Sequence, residues 1–331
     1  MMNSNTKDAV LAILRGEQGF LSGEKISISL GVSRAAVHAA VKSLRAEGYE
    51  ILSATNKGYR LHSVPDLLNT SALSAWLPSQ RMESVLCLDE VDSTNSRLRA
   101  LAYDGAPDGQ IVVANGQSEG RGRHGRAFAS PKDRGIYLSL LLRPSSSPAE
   151  VIEITAWTAV AVNNALENVY GVRAGIKWVN DLVMNRKKLC GILSEMTAEP
   201  ESGHVEFLVV GIGVNVSERI SDFPPELRPI AGSVFTETGK LRPRAQMTAA
   251  IIRELDRMRA DWPRARRRYL DAYRSDDITV GREIRVVSGG KEIPGVAERI
   301  NDDFSLTIRR GNGVLENISG GEVSIRGLYG S

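Results

Sequence analysis

Apolar residues recur at Val37, Ala40, Val41 and Leu44, the spacing of one helical face. Arg34, His38, Lys42 and Arg45 fall on a second stripe, about 100° around the same helix. Ser33 stands where a cap for this helix belongs, and Gly48 where it ends. A shorter helix reaching Leu30 precedes it, opened by Ser22 and closed by Gly31. After it, "EILSATNKGYRL" alternates on either side of Asn56-Lys57-Gly58, which predicts two short strands with Lys57 at the tip.

A helix-turn-helix followed by a basic hairpin has the order of a winged helix. Its second helix would enter the major groove of DNA while the wing meets phosphates. Ser33, Arg34, His38, Lys42, Arg45 and Lys57 are the candidate DNA contacts. A basic helix packed on its own domain, or a winged helix used for protein contacts, would show part of this pattern. Charge separates the readings. The first 62 residues hold eight Lys/Arg against five Asp/Glu, a net of +3, which is the net charge of the whole chain. All the excess positive charge lies in that segment, as contact with a polyanion requires.

A new helical pattern begins near Thr70, after Pro65, which places a boundary at residue 64. Strands are predicted at 84–89, 110–116, 135–143, 173–178, 182–185, 188–196 and 204–215, and helices at 94–104, 148–169 and 243–273. Several strands follow one another directly, so an α+β fold with a mixed or antiparallel sheet is expected, not a doubly wound parallel one. From about residue 276, short alternating strands separated by glycine turns predict a small SH3-like β-barrel. Three domains result: 1–63, 64–275 and 276–331. The run "RARRR" at 264–268 reads as a solvated helix face more readily than as a second DNA site. In 331 residues, no apolar run approaches the roughly 20 of a membrane helix. Cys87 and Cys190 lie far apart in apolar surroundings, as reduced core thiols of a cytoplasmic protein do.

The segment "SEGRGRHGRAF", residues 118–128, contains a literal G-x-G-x-x-G at Gly120, Gly122 and Gly125. A dinucleotide fingerprint needs a helix to open there, so that pyrophosphate meets its N-terminus. Here Pro131 and a β-rich run follow. What remains is an anion loop: glycines let backbone N–H groups approach an oxyanion, and Arg121, Arg123 and Arg126 add forked donors. Mutual repulsion among the arginines predicts a loop that orders when an anion arrives.

Other segments bear chemistry. "DSTNSRL" puts Ser93, Thr94 and Asn95 at a helix start, where they either cap it or meet a neutral polar ligand. Gln117 ends a strand beside the arginine loop. "IKWVNDL" holds Lys177 in an apolar strand ahead of Asn180-Asp181, either snorkelling or committed to an anion. "KLCGIL" and "VVGIGVNV" set glycines inside strands, where a ligand or backbone can come close. The four histidines show no metal-ligand spacing, so no protein-bound zinc is expected.

In their order "DSTN", "GQSEGRGRHGR", "KWVNDL", "KLCGIL" and "GIGVNV", these motifs resemble the biotin–protein ligases, in the bifunctional form that also acts as biotin operon repressor. The resemblance covers almost the whole chain. It implies a class II aminoacyl-tRNA-synthetase-like central domain with biotin–[acetyl-CoA-carboxylase] ligase activity. Biotin and ATP would react, with Mg²⁺, to biotinyl-5′-adenylate and pyrophosphate. Biotin would then pass to a lysine of biotin carboxyl carrier protein. Operator DNA is an implied partner, and a homodimer is the implied adenylate-bound state.

By the same resemblance, Lys177 and Arg123 neutralise the reacting carboxylate and phosphate. Arg121 and Gly122 shape the biotin side of the loop, while Ser93, Thr94, Asn95 and Gln117 read the ureido ring. Leu182, Gly191, Leu193, Gly211 and Gly213 wall the biotin tail. Arg126, Asn180 and Asn215 serve ATP and adenylate. Three departures are visible: Val179 for the usual proline, His124 for a frequent arginine and Phe128 for a frequent tryptophan. Residues 217–235, which should cover the adenylate, contain no tryptophan; Phe223 or Phe235 would pack there instead. A ligand-sensing transcription factor without ligase activity is the alternative, but sensing alone needs no neutralisation of two anions. A ligase with a winged helix that no longer binds DNA is another, and the +3 excess there speaks against it.

Overall fold

The computed structural model describes residues 4–46, 48–55, 57–63, 66–144, 151–198, 204–288 and 291–329. Asn56 of the expected hairpin turn, the linker Pro65, and the first residues of the helix expected over 148–169 lie outside these. The chain divides into two compact units, 1–66 and 67–331.

In the first unit, α1 (Ser4–Gly16), α2 (Gly23–Leu30) and α3 (Arg34–Ala46) precede a hairpin of β1 (Glu50–Ala54) and β2 (Gly58–Ser63). Ser22 caps α2 by accepting from Lys25 N, and Gly31 closes it at φ 63°. Ser33 Oγ accepts from Ala36 N at 3.1 Å and so caps α3. The stripe Val37, Ala40, Val41 and Leu44 is buried with Val10, Leu14 and Ile26, whereas Arg34, His38, Lys42 and Lys57 are exposed. Arg45 has a further task. Its guanidinium donates to Ile51 O and, at 2.6 Å, to Ser53 Oγ, tying α3 to the wing strand.

The second unit begins with two short helices, α4 (Thr70–Ser74) and α5 (Ser79–Met82). Strands β3 (Val85–Val91) and β4 (Ile111–Gln117) flank α6 (Thr94–Tyr103). Next come β5 (Ile136–Leu142), α7 (Val151–Tyr170), β6 (Gly175–Lys177), β7 (Asp181–Met184), β8 (Lys187–Ala198) and β9 (Val205–Val214). The seven strands lie in the order β3-β4-β5-β9-β8-β7-β6; β3 and β4 are parallel and the other pairings antiparallel, the mixed sheet expected.

The helices α8 (Val234–Thr238), α9 (Arg244–Asp261) and α10 (Arg266–Asp276) follow. The single helix expected over 243–273 is therefore two. Pro263 offers no N–H to continue α9, and Trp262 before it is extended at ψ 137°. Of the basic run there, Arg266, Arg267 and Arg268 pair with Glu153, Asp271 and Asp261. The chain ends in five antiparallel strands, β10 (Glu283–Ser288), β11 (Lys291–Ile300), β12 (Leu306–Arg309), β13 (Leu315–Ile318) and β14 (Glu322–Ile325), ordered β13-β12-β11-β10-β14.

The two faces of the large sheet differ. Along β9, Leu208, Val210, Ile212 and Val214 turn to one side, into a core shared with α7 and α9. Phe207 and Val209 turn to the other, against Leu98 and Ala102 of α6. The next residues on that second face are Gly211 and Gly213, by the period of two along a strand. There the apolar packing stops and bare backbone begins.

Candidate active site

Strand register assembles the site on this glycine floor. Tyr137 on β5 pairs with Gly213, Gly213 with Gly191 on β8, Gly191 with Asp181 on β7, and Asp181 with Lys177 on β6. One row thus crosses five strands and ends in an ion pair. A parallel row runs Ser139, Gly211, Leu193. A cavity of about 470 Å³ stands over both, closed by the 118–128 loop, by Phe223, Leu227, Ile230 and Ala231, and by residues of β14.

The end beside α6 is polar and uncharged. Gln117 Oε1 accepts from Thr94 N at 2.8 Å and lies 3.1 Å from Thr94 Oγ1, while Gln117 Nε2 donates to Ser130 Oγ at 2.9 Å. Ser139 Oγ lies 2.8 Å from Thr94 Oγ1 and 2.6 Å from Asn95 Oδ1. Each hydroxyl has one proton, so these contacts can rearrange to exchange a hydrogen bond with a ligand. Asn95 Nδ2 donates to Glu195 at 2.7 Å, and the charge of Glu195 is met by Arg99 at 2.6 Å. Gly211 leaves room for the Asn95 amide, because a Cβ there would stand 2.3 Å from Asn95 Oδ1. At Gly213 it would meet the Phe128 ring at 2.5 Å, so that ring lies directly on the floor.

The other end is cationic. Arg121, Arg123, Arg126, Lys177 and Lys188 line the cavity against Asp181 and Glu322, a surplus of three positive charges. Asp181 is buried between Lys188 at 2.7 Å and Lys177 at 3.6 Å. Burial alone would raise its pKa, but the two ammonium groups outweigh that and hold it below the usual carboxylate range. Burial pushes the Lys177 ammonium down, and Asp181 works against the shift. Arg123 donates to Asn180 Oδ1 at 3.2 Å, and Asn180 Nδ2 in turn to Ile192 O at 2.9 Å. Asn215 Nδ2 donates to Gly232 O at 2.8 Å and holds the two ends of the 217–235 loop together.

The loop itself is a tight hairpin. Gly122 N donates to Arg126 O at 2.7 Å and Phe128 N to Gly120 O at 2.8 Å. Only a three-residue 3₁₀ turn, Arg123–Gly125, sits at its tip, so no helix N-terminus faces the glycines. Arg126 pairs with Glu322 at 2.6 Å, which relieves part of the repulsion expected among the arginines.

Residues 88–215 match the biotin/lipoate A/B protein ligase family, and residues 6–60 an HTH domain. The chain is 38% identical over 253 residues to the bifunctional ligase/repressor BirA of Bacillus subtilis, covering 76% of this chain and 77% of that one. The chain belongs to the biotin–protein ligase family. The family member BirA of Escherichia coli is 29% identical over 333 residues, 98% of this chain and 99% of its own. Biotin protein ligase from Aquifex aeolicus, solved with biotin and ATP, superposes at a TM-score of 0.63 with 27% identity, over 73% of this chain and 98% of that one.

Of the ligase-site residues expected from sequence, Ser93, Thr94, Asn95, Gln117, Arg121, Gly122, Arg123, Arg126, Lys177, Asn180, Gly191, Leu193, Gly211, Gly213 and Asn215 all line the one cavity. Leu182 does not. It pairs with Cys190, one step off the Asp181–Gly191 row, so its side chain enters the core on the opposite face. Ile192 borders the cavity, yet its side chain belongs to that same core. Phe223 is at the cavity, whereas Phe235 is not among its lining residues. Sequence reasoning passed over Lys188, Asp181, Glu322 and Tyr329. Lys188 lay inside "KLCGIL", where only the glycine and a leucine drew notice. Glu322 lies on β14 of a distant sheet and Tyr329 in the turn after it, and no local signal marks them.

Proposed function

We propose that this chain is a biotin–protein ligase that forms biotinyl-5′-adenylate and passes biotin to a lysine of biotin carboxyl carrier protein, and that its winged helix makes it an operator-binding repressor. The observation that carries the ligase reading is one cavity with an uncharged hydrogen-bonding end and a cationic end. Biotin has that polarity: a neutral ureido ring and a carboxylate. Lipoate, the other substrate class of the matched family's description, carries a dithiolane with no amide groups to exchange hydrogen bonds with Thr94, Asn95 and Gln117, so this end of the cavity favours biotin.

In the first step a biotin carboxylate oxygen bonds to the α-phosphorus of ATP while the bond to pyrophosphate breaks. Two anions must meet in a site shielded from water. Lys177, Arg123 and Lys188 are placed to offset their repulsion, with Asp181 holding the two ammonium groups in place. In the second step the acceptor's lysine nitrogen attacks the acyl carbon and AMP leaves. Mg²⁺ would enter with the ATP phosphates. Among the described residues no cluster of three His, Cys, Asp or Glu exists to hold a metal, but Asn215 Oδ1 is buried without a hydrogen-bond partner and is the protein oxygen on offer. Three domains (1–63, 64–275, 276–331), a synthetase-like centre, an SH3-like C-terminal barrel, a cytoplasmic site of action and an adenylate-bound homodimer complete the proposal. Among the described residues no helix is long and apolar enough to cross a membrane.

Pyrophosphate release with ATP and biotin, repeated with lipoate, tests the ligase reading. Release with biotin alone is expected; release with lipoate alone would overturn it. For the repressor, DNA affinity should fall steeply with salt, and Arg34→Ala with Lys42→Ala should abolish operator binding while adenylation continues. A gel-shift and a pyrophosphate assay on one preparation check this; equal loss of both activities would show that the two units do not act separately. Residues 118–128 should exchange amide hydrogens more slowly once biotin and ATP are added, because adenylate joins Arg121 and Arg123 and slows opening. Identical exchange in both states would mean a preformed loop.

A further inference from the structure

The cavity takes part of its wall from β14 and the turn after it, and one residue of that turn stands against the reacting end. The Tyr329 ring lies 5.3 Å from Lys177 Nζ, centroid to nitrogen. The residue lines the cavity, yet its hydroxyl is buried and has no hydrogen-bond partner among the described residues. A buried hydroxyl left unpaired is unfavourable, so the hydroxyl does not explain the position. The ring does. An aromatic face attracts an ammonium, most strongly where water is excluded.

The turn that carries the ring is held from outside the cavity. Arg186, exposed in the β7–β8 turn, donates to Leu328 O at 3.1 Å and to Gly327 O at 2.6 Å. Those two carbonyls immediately precede Tyr329. The same turn follows β14, whose Glu322 pairs with Arg126 of the anion loop.

We propose that Tyr329 is a positioning residue for adenylation: its ring caps the Lys177 ammonium, holds it charged and fixes its position, with Arg186 fixing the turn that presents the ring. The proposal rests on the ligase reading for its consequence, but the contact itself stands apart from that reading. The other charged groups facing Lys177 are Asp181 on β7, which favours the ammonium form, Lys188 on β8, which opposes it, and Glu322 on β14, which favours it. All three remain in every variant below.

The test uses the full chain with lysine labelled at Cε by carbon-13, the Lys177 signal being assigned by its loss in Lys177→Arg. Removing the ring withdraws an attraction felt only by the ammonium form. In Tyr329→Leu the Lys177 titration should therefore move to lower pH by about one pH unit, and single-turnover adenylation should fall about tenfold. Tyr329→Phe, which keeps the ring and deletes the unpaired hydroxyl, should restore both. Arg186→Ala should reproduce the loss in part, and combining it with Tyr329→Leu should add nothing. An unmoved Lys177 titration in Tyr329→Leu overturns the proposal. So does a Tyr329→Phe variant as impaired as Tyr329→Leu, since the hydroxyl would then be the active part. Multiplying effects of Arg186→Ala and Tyr329→Leu overturn the role of the turn. A moved titration in a protein whose wild type makes no adenylate supports the contact and overturns the ligase reading alone.

Discussion

Lys177→Ala is expected to slow biotin adenylation by about 10²-fold or more, roughly 3 kcal/mol of transition-state stabilisation, with a smaller effect on ground-state biotin binding. The side chain is 10% exposed, so its charge acts through little water. The charge counts most when carboxylate and phosphate are joining, because negative charge is then at its most crowded. The substitution also leaves Asp181 buried with one of its two ion-pair partners gone, Lys188 and the field of Arg123 remaining. Lys177→Met, which fills the space without charge, separates the two causes: a loss equal to that of alanine assigns the effect to charge. The alkaline limb of the pH–rate profile should lie below that of an ordinary lysine, because burial weakens the ammonium form. Single-turnover formation of labelled adenylate measures all of this; an unchanged rate in Lys177→Ala would remove the residue from the chemistry.

Gly211→Ala is expected to raise the KM for biotin by about 10²-fold while the KM for ATP changes little. The added Cβ would stand 2.3 Å from Asn95 Oδ1, far inside contact distance. Relief by movement of β9 is blocked, since Gly211 is paired to Ser139 on one side and to Leu193 on the other. Asn95 must therefore turn away, giving up its bonds to Ser139 and Glu195. With the Asn95 amide turned off the ligand, a biotin hydrogen bond is lost and a buried ligand group is left unpaired, on the order of 2–3 kcal/mol, which is the stated change in KM. Direct calorimetry of biotin binding, with a thermal melt to confirm the fold, checks it. Biotin affinity equal to wild type would mean that Asn95 does not read the ligand.

Much of this protein is local and therefore legible in its sequence. The winged helix follows from caps and periods within sixty residues: Ser22, Gly31 and Ser33 each settle their own turn by a hydrogen bond or a positive φ only a few residues away. The seven strands of the large sheet and the start of α6 at Thr94 were predictable for the same reason. One local signal was underweighted, Pro263, whose missing N–H divides the expected long helix. The cavity is different in kind. Its floor is a register, Tyr137–Gly213–Gly191–Asp181–Lys177, set by pairings between strands up to about 75 residues apart, and a slip of one residue would turn every member to the other face. That is why Leu182, one residue from Asp181, belongs to the core and not to the ligand. It is also why Glu322 and Tyr329 could not be found from sequence: nothing near them in the chain signals that a distant sheet delivers them to Arg126 and Lys177. Sequence determined which chemical groups the protein owns. Only tertiary pairing decided which of them share one cavity, because burial and charge pairing depend on distances that local periodicity does not encode.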